Sequence, residues 1–322
     1  MLGRALESLV RQETHDEFRF EIVVIDDGST DGTRDVVDNI VKQSAVPVRY
    51  VREQGRGVAG ARNAGVTAAS GEWIAFFDDD QLADPDWLMQ LYAVALEKRA
   101  SCVGGSRFLC LPEGCRFPLS PICRALLGEE KFGDRPKKAG RKTEPSTGNL
   151  LVRRDVCLSV GMFDEATIRG GEDIEFTARL RKAGIELWYA PRAVVHHLIP
   201  EYRLTKDYFF RLSLRIGDNF AYRDYREWGL ARTAMLCVAR MAQTFVVHLP
   251  LMLLAYTLGD GAEVLGRKCM LLKCWGYLRQ LLYLFSPHWF SQETHFSQLS
   301  FRGERAAFAG ITKTTELCRV KD

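Results

Sequence analysis

Two short apolar runs that each end in aspartates constrain this chain more than any other feature. Phe20 to Asp26 reads FEIVVID, and Trp73 to Phe77 reads WIAFF with Asp78-Asp79-Asp80 directly behind it. Runs this short and this apolar suit strands buried on both faces of a sheet. Between them lies DGSTDGT, a cluster of turn and N-cap residues, and then Val36, Val37, Ile40 and Val41 on one helix face. Val46 to Val51 reads as a second strand, and GRGVAGARNAG opens a helix of small residues. Asp84-Pro85 supplies an N-cap and an N1 proline for a helix reaching about Glu97. The alternation predicts the α/β class, a doubly wound, mostly parallel sheet with helices on both faces.

Further along, four prolines punctuate Cys102 to Lys142, and the reading there is variable loops or short helices over a site. Order resumes with TGNLLV at 147–152 as a strand, and Ile174, Phe176, Ala178 and Leu180 mark a helix that ends at Gly184. Glu186 to His197 reads as strand, Pro191 turn, strand. Beyond about residue 200 the pattern is helical, over 204–222, 229–258 and 262–285. The division expected is therefore 1–200, a catalytic α/β domain, and 201–322, a helical extension.

Residues 245–258 are the most apolar stretch, but 14 residues fall short of the roughly 20 that span a bilayer. Extension backward takes in Arg240, which costs about 2.5–3.5 kcal/mol at a membrane centre, so a core or interfacial helix is expected. In the last helix Leu271, Trp275, Leu278, Leu282 and Phe285 form a stripe beside Arg267, Lys268, Lys273 and Arg279. Such a face suits an anionic membrane surface, or equally a packed helix with a solvated basic back.

Net charge excludes one class of partner. The chain holds 44 Lys+Arg against 41 Asp+Glu, a formal +3, too balanced for a nucleic-acid-binding surface. Nine cysteines without a C-x-x-C pair fit reduced thiols rather than a disulfide framework or zinc ribbon. MLGRALESLVRQETHDE lacks the apolar core of a signal peptide, so a cytoplasmic setting is expected.

Acidic residues at the ends of two strands can hold a hard divalent cation, and ligands bind at such strand ends in open α/β sheets. The alternative is that they form turns and caps, the reading adopted for Asp31 and Asp84. Gly55, Gly57 and Gly60 satisfy G-x-G-x-x-G with acids about 20 positions on, the paper signature of an NAD-dependent dehydrogenase. That motif belongs at the end of the first strand, and here a whole strand–helix unit precedes it.

Four blocks in order, IVVIDDGSTDGT, GRGVAGARNAGVTAASGEWIAFFDDD, TGNLLVRRD and GGEDIEFTARLRKAG, resemble a family 2 glycosyltransferase over about residues 1–200. The resemblance implies a GT-A fold and an inverting transfer of sugar from a nucleotide-diphosphate sugar, most simply a UDP-sugar. Mn²⁺ or Mg²⁺ would be the cofactor, and a glycan or lipid-linked molecule the acceptor. It implies that Asp27 accepts hydrogen bonds from the base and that Arg56, Arg62 and Asn63 line the nucleotide. Asp78 and Asp80 match the metal-binding D-x-D pair, Asp80 as the direct ligand, with Asp79 pointing away. Thr147, Gly148 and Asn149 match the block beside the donor sugar, Asp173 the general base, and His196 a histidine completing the metal shell.

The family normally opens on a strand ahead of a helix like RALESLVRQ, and no such strand precedes it here. The expectations are an unfilled sheet position, a helix over Leu2–Val10 without support, and 10–20 further residues in a complete enzyme. A catalytically impaired fold-mate serving as a nucleotide-binding or membrane-associated subunit is the alternative reading.

Overall fold

The computed structural model describes residues 1–140, 143–166 and 171–288; Gly170, the basic pair 141–142 and the last part of the helical extension lie outside them. Two compact units emerge. One holds Met1–Leu109 with Glu129–Leu198, the other Cys110–Gly128 with the chain from Ile199 onward. The proline-punctuated segment 110–128 thus groups with the helical unit.

The first unit begins α1 Leu2–Val10, β1 Ile22–Asp26, α2 Thr33–Gln43, β2 Val48–Arg52, α3 Gly57–Ala68 and β3 Trp73–Phe77. β4 Gln81–Ala83, α4 Trp87–Lys98 and β5 Cys102–Cys110 follow. After α5 Pro121–Leu126 of the second unit come β6 Lys137–Lys138, β7 Asn149–Arg153, α6 Arg154–Ser159, α7 Glu172–Lys182 and β8 Leu187–Leu198.

Helices cover the sheet as the α/β reading expects, but strand direction departs from a mostly parallel sheet. β1 and β2, joined through α2, pair in parallel as a two-stranded sheet. The larger sheet runs β3-β7-β5-β8-β4 with β6 on β8. Within it β7 runs antiparallel to both β3 and β5, and β8 antiparallel to β4 and β6. The chain reaches β7 after a long excursion through α5 and β6 rather than by a direct β–α–β crossover from β5, and it runs against both neighbours.

Period-two alternation builds the layers. Leu150 and Val152 of β7 enter one core with Ile74, Phe76, Phe176 and Leu180, while Leu151 between them enters the opposite core with Trp87, Leu91 and Val195. A third cluster joins Leu6, Ile22 and Val37. α1 is therefore supported, contrary to expectation. Its Ser8 Oγ accepts from Ala83 N at 3.1 Å, and the Gln12 side chain bridges Leu88 N (2.9 Å) and Asp84 O (2.7 Å).

β5 is the main correction within this unit. The loop expected from Cys102 onward is a strand at the centre of the sheet. Its glycines look like breakers, yet a Cβ at Gly105 would sit 2.1 Å from Ala193 O. Close strand approach, not flexibility, requires glycine there. Pro191 likewise fails to divide β8, which continues unbroken through it.

The second unit contains α5, α8 Lys206–Gln243, α9 Leu249–Thr257 and α10 Gly261–Phe285, with a π-helical turn at Thr244–His248. α8 breaks at Gly229 (φ 75, ψ 176) and folds back. Arg240 Nη2 lies 3.2 Å from Asp224 Oδ2, although sixteen residues of straight helix would set them ~24 Å apart. At Gly217 and Gly276 a Cβ would fall 2.1 Å from Lys273 O and 2.2 Å from Leu214 O, so these glycines let α8 and α10 touch backbone to backbone. Residues 245–258 are not a core helix: Phe245, Val246, Leu253, Leu254 and Tyr256 are exposed.

Asn149 ties the first unit together. Fully buried, it donates to Ser106 O (2.8 Å) and Ala193 O (3.0 Å) and accepts from Trp87 Nε1 (2.7 Å). Asn149→Ala strands two carbonyls and an indole N–H, so a loss of about 2–4 kcal/mol in denaturant unfolding is expected.

Candidate active site

The acidic strand ends become distinct once folded. Asp26 is buried and turned inward, accepting from Ser29 N (2.7 Å) and from the Tyr50 hydroxyl. Burial opposes its ionisation, but those hydrogen bonds prevail and hold its carboxyl below the ordinary value. Asp27 faces the other way. Its Oδ2 accepts from Gly57 N at 2.9 Å, and its buried Oδ1 has no partner. The glycine-rich stretch after β2 thus delivers a backbone N–H to the Asp27 carboxylate.

At the end of β3, Asp78 meets α3 and α7 through one guanidinium. Arg62 lies 3.5 Å from Asp78 Oδ1 and 2.6 Å from Glu172 Oε1, with its Cζ 5.5 Å from the Phe163 ring centroid. Desolvation raises the Asp78 pKa; Arg62 opposes the rise and Asp80 adds to it. Burial, then the Asp173 charge, raises Glu172 against the pull of Arg62. Asp173 stands in the first turn of α7 with its Oδ1 accepting from Ile174 N at 2.8 Å.

Gly148 supplies the floor. A Cβ there would lie 2.3 Å from Asp78 Oδ2 and 2.7 Å from Gln81 Nε2, so only glycine admits these side chains. Gln81 is fully buried with an unpartnered Oε1, and Thr147 Oγ1 is likewise buried and unpartnered. Unmet polar atoms cluster where a ligand's polar atoms would complete them.

Several expected site residues do other work. The Asn149 amide is spent on the sheet and unavailable to a donor sugar. Asn63 gives its amide to Phe163 N, Phe163 O and Glu165, pinning the segment ahead of α7. Arg56 pairs with Glu53 (3.0 Å) and Glu165 (3.5 Å) at the surface. His196 is the clearest correction: its Nε2 lies 2.9 Å from Asp84 Oδ1, while His197 approaches Asp80 Oδ2 at 3.4 Å. Neighbouring strand residues face opposite sides, and Gln81 pairs in register with His197. Asp79 is exposed, in a turn after β3 rather than on extended backbone.

β5 also carries one half of a largely buried ion pair that a loop over 102–142 would not bring together. Arg107 Nη2 reaches Glu130 Oε1 at 2.9 Å, and Glu130 Oε2 accepts from Ser146 N at 3.2 Å. Both charges act on the site, Arg107 on Asp78 and Asp173 on Glu130. Among the described residues no three His, Cys, Asp or Glu side chains converge as a ready-made metal cage.

Residues 1–158 match the family model described as Glycosyl transferase family 2. Through this segment the chain belongs to that family. Its α/β sheet, covered on both faces, agrees with the GT-A class that the resemblance implied. The chain is similar to succinoglycan biosynthesis protein ExoM of Rhizobium meliloti, 27% identical over 67% of this chain and 69% of that protein. It is 27% identical to glycosyltransferase AglE of Haloferax volcanii over 58% of this chain and 60% of the relative. To validoxylamine A glucosyltransferase of Streptomyces hygroscopicus subsp. limoneus it is 32% identical over 58% of this chain, spanning 46% of the relative. Among solved structures, GalNAc-T7 with UDP, GalNAc and Mn²⁺ superposes at a TM-score of 0.48 and 20% identity, covering 66% of this chain and 44% of that one.

Within this glycosyltransferase-family unit the Arg107–Glu130 pair is open to a direct test. Arg107→Met leaves Glu130 buried and uncompensated, with an expected cost of about 3–5 kcal/mol at pH 7. The Glu130 pKa is raised by burial against Arg107 and Ser146, so the folded state binds its proton more tightly than the unfolded chain. Stability therefore falls as pH climbs above the ordinary glutamate value and recovers on acidification. Unfolding curves at pH 7 and pH 4.5 should show the variant's deficit shrinking at the lower pH.

Proposed function

We propose that the chain is an inverting, metal-dependent glycosyltransferase that moves a sugar from a nucleoside-diphosphate sugar, UDP first among them, to a glycan or lipid-linked acceptor. The observation carrying this reading is the Asp78–Arg62–Glu172 chain of charges. It joins the end of β3 to the start of α7, with Asp27 at the neighbouring strand end.

Asp27 Oδ1 is the acceptor for a base N–H; its missing hydrogen bond costs ~1–3 kcal/mol until a donor arrives. Arg62 is positioned to exchange its carboxylate partners for the diphosphate, a charge-assisted bidentate interaction. Asp173 takes the proton from the acceptor hydroxyl as that oxygen bonds to the anomeric carbon and the bond to the nucleoside diphosphate breaks on the opposite face.

The donor set fits Mg²⁺ or Mn²⁺. Asp78 and Asp80 offer hard carboxylate oxygens beside the orphaned Gln81 Oε1, and His197, not His196, stands next to Asp80. Such ions bind through one or two carboxylates and take phosphate and water oxygens for the rest, so a three-residue cage is not required. When bound, the ion supplies charge stabilisation to the departing diphosphate.

A relative named for succinoglycan biosynthesis supports a glycan acceptor. A membrane-surface location is supported by the helical segment Lys206–Thr257, whose most apolar window has a mean hydropathy of 1.5 and is only 11% buried. The position proposed for it is interfacial, on the cytoplasmic side.

Purified protein should hydrolyse or transfer a nucleotide-sugar only with Mn²⁺ or Mg²⁺ present. Asp80→Ala and Asp173→Asn should each lower turnover at least about 10²-fold with the fold intact by circular dichroism. Full turnover in either variant overturns that residue's role. Calorimetric binding of UDP with Mn²⁺ and no turnover with any acceptor favours the impaired fold-mate instead.

A further inference from the structure

The helical unit holds a small, partly open cavity lined by none of the residues assigned to the candidate active site. It lies among the two arms of α8, the π-turn at Thr244–His248 and α10, with a volume of about 60 Å³. A water takes ~30 Å³ in the liquid, and pockets for drug-sized ligands run from ~300 Å³, so a nucleoside or sugar is too large. The walls include Arg240, Thr244, His248, Lys273 and Tyr277 around Phe220.

Positive charge gathers on the Asp224 side of this cavity, while Glu263 pairs with Arg267 beside His248 and Asp218 is buried next to the lining Gly217. Asp224, fully buried, already accepts from Arg223 (2.6 Å), Arg240 (3.2 Å) and Tyr277 (3.0 Å). One carboxylate thus serves two guanidiniums before Lys273 is counted. The Lys273 Nζ sits 4.2 Å from the Phe220 ring centroid, and Arg240 lies over the Tyr277 ring at 4.6 Å. Burial, then the Arg240 and Arg223 charges, lower the Lys273 pKa to about 8. Every charge acting appreciably on it is positive. Arg240 Nε is buried and unpartnered.

His248 adds a donor to this wall, whereas the Thr244 hydroxyl is spent on Arg240 O at 2.8 Å. His248 Nδ1 accepts from Arg267 Nη1 at 3.0 Å, so the neutral ring carries its proton on Nε2 as a donor. The π-turn places both His248 and Thr244 in the interior, and such turns recur at functional sites. Partly buried cations that share one carboxylate leave positive charge that an anion would complete.

We propose that this cavity, with Arg240, Lys273 and His248 as its donors, is a binding site for a phosphate group. Both a free phosphate and the head group of an anionic lipid present that chemistry. Phe245, Val246 and Tyr256 on the adjoining helical segment are 61%, 74% and 76% exposed, an apolar surface beside which a lipid head group could sit.

The test uses the purified full chain and needs no sugar donor, so it stands apart from the transfer reaction. Melting temperatures are measured with inorganic phosphate, and separately with phosphatidylcholine vesicles with and without phosphatidic acid, for wild type and Lys273→Met. Methionine keeps the length and removes the partly buried charge, so the variant should melt no lower than wild type without anion. Anion binding should raise the wild-type melting temperature, and the variant should need about ten- to a hundredfold more ligand for the same rise. Stabilisation by inorganic phosphate identifies a free phosphate; stabilisation only by phosphatidic acid vesicles identifies a lipid head group. The proposal fails if neither ligand stabilises the wild type, or if either stabilises the variant equally. It also fails if the variant melts well below the wild type without anion, since Lys273 would then be a structural cation.

Discussion

The Arg62 guanidinium occupies the one place where two acidic ends of the fold meet. Asp78 closes β3, Glu172 opens α7, and Arg62 on α3 lies between them at 3.5 and 2.6 Å. Carboxylates gathered this closely repel unless a positive charge divides them. The arrangement holds the strand end and the helix start together, and it leaves Asp173 one residue from Glu172 on the first turn of α7. A cation so placed is exchangeable in a way a hydrophobic contact is not. A dianionic ligand can take over the guanidinium, provided its own counter-charge satisfies the carboxylates.

Beneath this charged rim the support is neutral and rigid. Asn149 spends its whole amide on Ser106, Ala193 and Trp87, locking β5, β8 and α4 around β7. Asn63 does the same for the segment through Phe163. The residues beside them keep unmet polar atoms: Asp27 Oδ1, Gln81 Oε1 and Thr147 Oγ1. Satisfied amides fix the frame while these oxygens are left unsatisfied, a division expected of a preorganised site.

Much of this frame was legible in the residues because burial imposes a period. WIAFF predicts β3 at its observed bounds, and the Val36–Val41 pattern predicts α2, since apolar spacing follows the faces that must be covered. What stayed hidden depends on partners distant in sequence. The glycines of β5 look like a loop until Ala193 is seen lying against Gly105. With the strand misread, Arg107 had no reason to stand near Glu130. His196 and His197 differ by one position on a strand, and only the ladder to β4 decides which one faces Asp80.

The same logic separates the two clusters of charge in the chain. At the strand ends carboxylates outnumber the Arg62 and Arg107 guanidiniums, an imbalance suited to a metal–diphosphate. In the helical unit Arg223, Arg240 and Lys273 gather about the Asp224 carboxylate beside the cavity at the π-turn. A formal charge of +3 conceals both. Packing alone would select against each of these excesses, because apolar residues of similar volume fill such spaces without a desolvation cost. Their presence is therefore better explained by what each cluster binds than by what it adds to stability.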